Sequence, residues 1–146
     1  MAKIRLGFVS NSSSSSYIIG VGKLIDETAF DIYCKKNGID YEVRTTKEIL
    51  EHKSRWSNVK RVIGNKTYFV QQAFDSNEVS LQIDPYADEK FVSIYHCEDM
   101  ESNEDGEIDY DIDSNYFNIT GQAIFDISKE KSIENWSDIY GAGRNG

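Results

Sequence analysis

The chain reads as α+β, a mostly antiparallel β-sheet with two or three helices packed against it. Three observations predict this class. Apolar residues alternate with period two through the middle of the chain, as in KTYFVQQ and EVSLQI. Two segments near residues 26–38 and 45–56 have helical spacing and recognisable caps instead. Finally, 146 residues with 39% hydrophobic content and nine Tyr, seven Phe and two Trp are enough for one core, with no internal repeat to suggest a solenoid. We expect one domain over residues 1–140 and a flexible tail, GAGRNG, over 141–146.

The elements follow in order. Lys3 to Val9 predicts a strand, and Tyr17 to Ile25 its hairpin partner. Ser10 to Ser16 would connect them, because Ser and Asn side chains bond nearby backbone groups and favour turns over ladders. Asp26 is placed to cap a helix, DETAFDIYCKKNG, with Ala29, Phe30, Ile32 and Tyr33 at helical spacing, Lys35 and Lys36 in the last turn and Gly38 as a stop. Tyr41 to Val43 makes a short strand, and Thr45 or Thr46 caps a second helix, TTKEILEHKSRW.

From Asn58 onwards, VKRVIGNKTYFVQQAF predicts a hairpin turning at Gly64-Asn65. EVSLQID and KFVSIYHC are two further strands around Pro85, the only proline. Residues 98–113 form an acidic loop, ITGQAIFDI a last strand, and SKEKSIENWSDIY a last helix capped by Ser128.

Charge is divided along the chain. Residues 1–70 carry 12 Lys/Arg against 7 Asp/Glu, and residues 71–146 carry 4 against 18, balances of +5 and −14. Such polarity favours a partner with a charged face. It argues against nucleic-acid binding by the whole surface, since phosphates need clustered cations. No run approaches a membrane span and the N-terminus lacks a signal-peptide core, so we expect no membrane association and a cytoplasmic location. With Cys34 and Cys97 alone, no disulfide framework is expected.

Four features bear on chemistry. In the serine run, Ser12, Ser13, Ser14, Ser15 and Ser16 offer hydroxyls, with Lys3 and Arg5 nearby, so a recognition loop or an anion nest is one reading and a plain polar loop the other. No Gly-Lys-Ser/Thr ending follows, so this is no nucleotide phosphate loop.

The acidic run holds nine carboxylates without a Lys or Arg. Glu98, Asp99, Glu101, Asp105, Glu107, Asp109, Asp111 and Asp113 would form a partner-binding surface, its charge density resembling that of a nucleic-acid backbone. Within it Glu101, Asn103, Asp105 and Asp109 follow the calcium-loop rhythm, with Gly106 at the sixth position. However, Glu101 replaces the usual Asp and Ile112 stands where the bidentate Glu belongs, so no metal or other cofactor is expected.

The basic stretch Arg44 to Lys66, with Trp56, Tyr68 and Phe69, has the mix of cations and aromatics that suits single-stranded nucleic acid, but its interspersed acids favour a solvated face. Neighbouring residues of a strand point to opposite faces, so His96 and Cys97 cannot form a local metal pair or dyad. With no base beside a nucleophile, we expect no enzyme.

The string KIRLGFVSNSSSSSY resembles the N-terminus of small, largely uncharacterised proteins of bacteriophages and related mobile elements, in which R-x-G-F-V-S-N-S-S-S-S-S precedes Phe or Tyr. Arg5, Gly7 to Ser16 and Tyr17 carry the resemblance, which covers about 14 residues and leaves residues 21–146 untouched. It implies a phage-type accessory protein with a portable N-terminal signal. Joined to the charge division, it leads us to expect an acidic inhibitor that binds a host or phage protein with a basic face and blocks it. A virion or assembly component making homo-oligomeric or neighbouring-subunit contacts is the alternative, and a small-molecule binder using the serine loop is a third.

Overall fold

The computed structural model describes residues 3–5, 13–53, 59–73, 77–99, 107–109 and 119–145. In chain order the elements are β1 (Lys3–Arg5), β2 (Ser13–Leu24), α1 (Glu27–Asn37), β3 (Glu42–Thr45), α2 (Thr46–Glu51), β4 (Lys60–Ile63), β5 (Lys66–Gln72), β6 (Glu78–Ile83), β7 (Lys90–Asp99), β8 (Glu107–Asp109), α3 (Ile119–Phe125), a 3₁₀ turn (Asp126–Lys129) and β9 (Ile133–Asn145). Four strands in the order β3-β7-β2-β9 make a central sheet, and β4-β5-β6 make a second. β1 pairs with β8, and every pairing is antiparallel. The class is α+β, as expected.

The local signals worked where they were chemical. The Asp26 side chain accepts from the Ala29 amide at 3.1 Å, and Gly38 ends α1 with φ 70°, a left-handed conformation that costs glycine nothing. Thr45 and Glu48 close a capping box, each side chain accepting from the other's backbone N–H, at 3.2 and 3.0 Å. The resulting bonds hold the Glu48 carboxyl below its usual range. Gly64 turns the β4–β5 hairpin with φ 63°, and Ile63 pairs with Lys66 across it.

The core is built around β2. Tyr17, Ile18, Ile19 and Val21 are all at most 1% exposed, so this strand is buried on both faces. Ile18 packs with Phe30 and Cys34 of α1 and with Ile124 and Ile127 of the α3 region. Tyr17, Ile19 and Val21 pack instead with Phe69, Val79 and Ile83 of the second sheet and with Ile49 of α2. The molecule therefore has α1 and α3 on one face of the central sheet, and the second sheet together with α2 on the other.

Close approach defines two positions. A Cβ on Gly20 would overlap the Trp136 ring, and one on Gly22 would lie 2.8 Å from Ile133 and 2.9 Å from Trp136. On the opposite face the Tyr17 ring lies over Gly141, its partner in β9. Its hydroxyl accepts from the Asn77 side-chain amide.

Several expectations are corrected. Ser13 to Ser16 are not a hairpin loop but the first four residues of β2, and β1 pairs with β8 rather than with β2. Ser13 to Ser16 are laddered to β9, and Ser15 and Ser16 also to β7, so the sheet pairs the serine backbone and removes the advantage of a turn. ITGQAIFDI is helical rather than a strand: Ala123, Ile124 and Ile127 recur at helical spacing and are buried together.

SKEKSIENWSDIY is no helix. Ser128 lies in the 3₁₀ turn and Ile133 onward is β9. The helix-like spacing of Ile133 and Trp136 arises from a β-bulge. Asn135 and Trp136 together oppose Gly22, with Asn135 at φ 57°, so the strand phase slips by one residue and Trp136 is aimed onto the glycines. Residues 141–145, expected as a flexible tail, continue β9. The second helix ends at Glu51, short of the predicted Trp56, which lies outside the described residues.

Gly20→Ala is expected to destabilise the fold by about 1–3 kcal/mol, the usual cost of overpacking, read as a lower urea midpoint at unchanged slope. In a Trp136→Leu background the same substitution should cost clearly less, because the ring it strikes is gone.

Candidate functional site

The two features singled out in the sequence meet at one end of the central sheet. Ser15 and Ser16 stand opposite Asp99 and Glu98 of β7. On the other side, Ser13 to Ser16 stand opposite Asn145, Arg144, Gly143 and Ala142 of β9. The serine run is thus the end of the central strand, between an acidic strand end and the end of β9. Ser12 lies outside the described residues, and Ser16 is buried at 1% exposure.

The acidic run is not one loop. Glu98 and Asp99 belong to β7, and Glu107 to Asp109 form β8. Here the register places Arg5 opposite Glu107 and Lys3 opposite Asp109, so the basic N-terminal strand lies against part of the acidic run. Glu101, Asn103, Asp105, Asp111 and Asp113 lie outside the described residues. Among the described residues no group of three or more His, Cys, Asp or Glu is arranged to hold a metal ion.

No family model, curated protein or solved structure matches the chain. Function must therefore be argued from the site.

The remaining candidates fall apart on inspection of their surroundings. In the basic stretch, Arg44 pairs with Glu42 at 3.2 Å, Lys47 with Glu51 at 4.0 Å and Arg61 with Glu78, while the Lys60 ammonium donates to the Leu50 carbonyl at 3.0 Å. Phe69 is 1% exposed in the core and is closed to a stacking base. Cys34 is fully buried and burial pushes its thiol up to about 12, so it stays protonated and is a packing residue. Cys97 is exposed, and it pairs with Tyr17 where His96 pairs with Ile18, so thiol and imidazole leave the sheet on opposite faces. Among the described residues no helix is long and apolar enough to cross a membrane.

One polar pair was missed. The Trp136 indole N–H donates to the Asp138 carboxylate at 2.7 Å, beside Gly20 on the helix-covered face. Burial raises the Asp138 carboxyl above the usual range, and the Trp136 bond opposes that rise only in part. The period-two spacing of Trp136, Asp138 and Tyr140 was the available signal, obscured by the bulge before it.

Two outcomes follow. A carboxyl whose folded value is raised takes up protons on folding, so this group's contribution to stability falls as pH rises from the ordinary Asp range through the higher folded value. Asp138→Asn should therefore be more stable than the parent at neutral pH, and urea unfolding should show that advantage shrinking as pH drops to the unfolded carboxylate range. Independently, hydrogen exchange should find the amides of Ser13 to Ser16 protected, and deletion of residues 142–146 should speed their exchange, since one ladder is removed.

Proposed function

We propose that the protein acts by binding, and that the acidic run 98–113 is the surface it presents to a basic face of a partner protein. The observation that carries this reading is the concentration of nine carboxylates in that run, with no cation within it. Two of them, Glu98 and Asp99, are the last residues of central strand β7. Electrostatic complementarity of this kind steers association and selects against partners of like charge.

The N-terminal resemblance gives the biological setting. In that setting the protein is a phage-type accessory factor, and its partner is a host or defence protein whose basic surface, used for nucleic acid or another ligand, becomes occluded. A second reading, an assembly component, draws on β9. This 13-residue strand is an outer strand of its sheet, with no described strand on its far edge, and such edges pair readily with other chains.

Affinity purification from host-type cells at low and high salt separates the two. Stoichiometric capture of one basic protein, shed at high salt, is expected. Reversal of Glu101, Asp105, Asp109 and Asp111 to Lys should abolish that capture. Affinity retained by the reversed variant would sink the inhibitor reading, and salt-resistant self-association would favour the assembly component.

A further inference from the structure

Strand β9 runs for 13 residues along the outside of the central sheet, beyond β2, and no described strand lies on its other side. The other outer strands of the two larger sheets are shorter: β3 and β4 have 4 residues each and β6 has 6. An outer strand carries a row of backbone N–H and C=O groups directed away from its sheet, and another strand can take them up. The bulge at Asn135 and Trp136 interrupts this row near its start. Beyond it, Ser137 to Asn145 pair with Val21 to Ser13 without interruption, so this stretch is a regular edge.

The stretch carries one acid and one base, Asp138 and Arg144. Asp138 stands opposite Gly20 and Arg144 opposite Ser14, an even number of residues apart, so the two fall on the same face of the strand. At about 3.3 Å per residue they are about 20 Å apart along it, too far to meet within one chain. The Asp138 carboxylate takes the Trp136 indole N–H at 2.7 Å, and no cation among the described residues pairs with it. Burial raises its carboxyl above the usual range, the condition of a half-buried acid without a positive neighbour.

Antiparallel pairing with the same edge of a second copy supplies that neighbour. With Gly141 on the two-fold axis, Tyr140 of each copy meets Ala142 of the other, Ile139 meets Gly143, and Asp138 meets Arg144. A two-fold axis perpendicular to the sheet keeps the same face of both copies on one side. Asp138 and Arg144 then become cross-strand neighbours of opposite charge, twice over. Any other register within the stretch sets Asp138 against a neutral residue or against itself.

We propose that the protein forms a homodimer through β9, in which residues 137–145 of two copies pair antiparallel about Gly141. The central sheets would join into one, with four strands from each copy. This names a second copy as the partner of the edge invoked in the assembly reading, and it rests on that reading rather than on the acidic run.

The test is sedimentation equilibrium of the full chain over a range of concentrations, with isotope-filtered NMR on mixed labelled and unlabelled chains. A monomer–dimer equilibrium is expected, with contacts between chains that set Tyr140 against Ala142 and Asp138 against Arg144. Arg144→Glu should weaken the dimer about tenfold, because two attractions become two repulsions. Asp138→Asn should weaken it about fivefold, yet in the Arg144→Glu background it should recover part of the loss. Such recovery cannot come from a contact within one chain, given the separation of the two residues. Should the urea midpoint show that Asp138→Asn misfolds, Arg144→Gln, also weaker by about fivefold, carries the test. Self-association at full strength in Arg144→Glu, or contacts between chains that avoid residues 137–145, would overturn the β9 dimer and leave the assembly reading standing. A monomer at every concentration would overturn both.

Discussion

Everything in this fold is placed by the double burial of β2. A strand covered on one face leaves its other face free to vary, whereas Tyr17 to Val21 answer to two layers at once. Ile18 fixes where α1 and α3 lie, and Tyr17, Ile19 and Val21 fix the second sheet. Fully burying one such aliphatic side chain is worth about 1.5–3 kcal/mol, so a few residues here outweigh the whole network of surface ion pairs. The two glycines and Gly141 belong to the same constraint. They remove side chains where Trp136 and Tyr17 must cross the sheet at close range.

What could be read from the sequence was what depends on neighbours along the chain. Asp26, Gly38 and Gly64 announce helix ends and a turn through bonds that span a few residues and are found where expected, and of the two candidate caps Thr45 and Thr46 the structure uses Thr45. Ser13 to Ser16 were misread because local preference favours a turn, and only the ladders with β7 and β9, over a hundred residues away in the latter case, make a strand. The C-terminal strand was misread for a different reason. One inserted residue at Asn135 shifts the phase, and Ile133 and Trp136 then mimic a helix. For the candidate site, the acidity of 98–113 was plain from composition, but its division between β7 and β8 and its encounter with Lys3 and Arg5 were not.

The charge division of the sequence is partly cancelled in three dimensions. Ion pairs between the halves join Arg61 to Glu78, Lys23 to Glu89 and Glu27 to Lys90. The basic half is therefore less a second binding pole than a set of partners for acids of its own chain. A net charge of −9 remains over the whole chain.

The pairing of β2 with β9 has a consequence for how the chain is made. Tyr17 and Gly141 are register partners, yet the whole of the intervening chain separates them. During synthesis the most apolar strand emerges early and waits for its last partner until β9 has cleared the ribosome. The β4–β5–β6 meander, closed by short-range contacts, can assemble long before then. For that interval Ile18, Ile19 and Val21 form an unfinished sheet edge, and the polar serines before them act as a gatekeeper beside an aggregation-prone run.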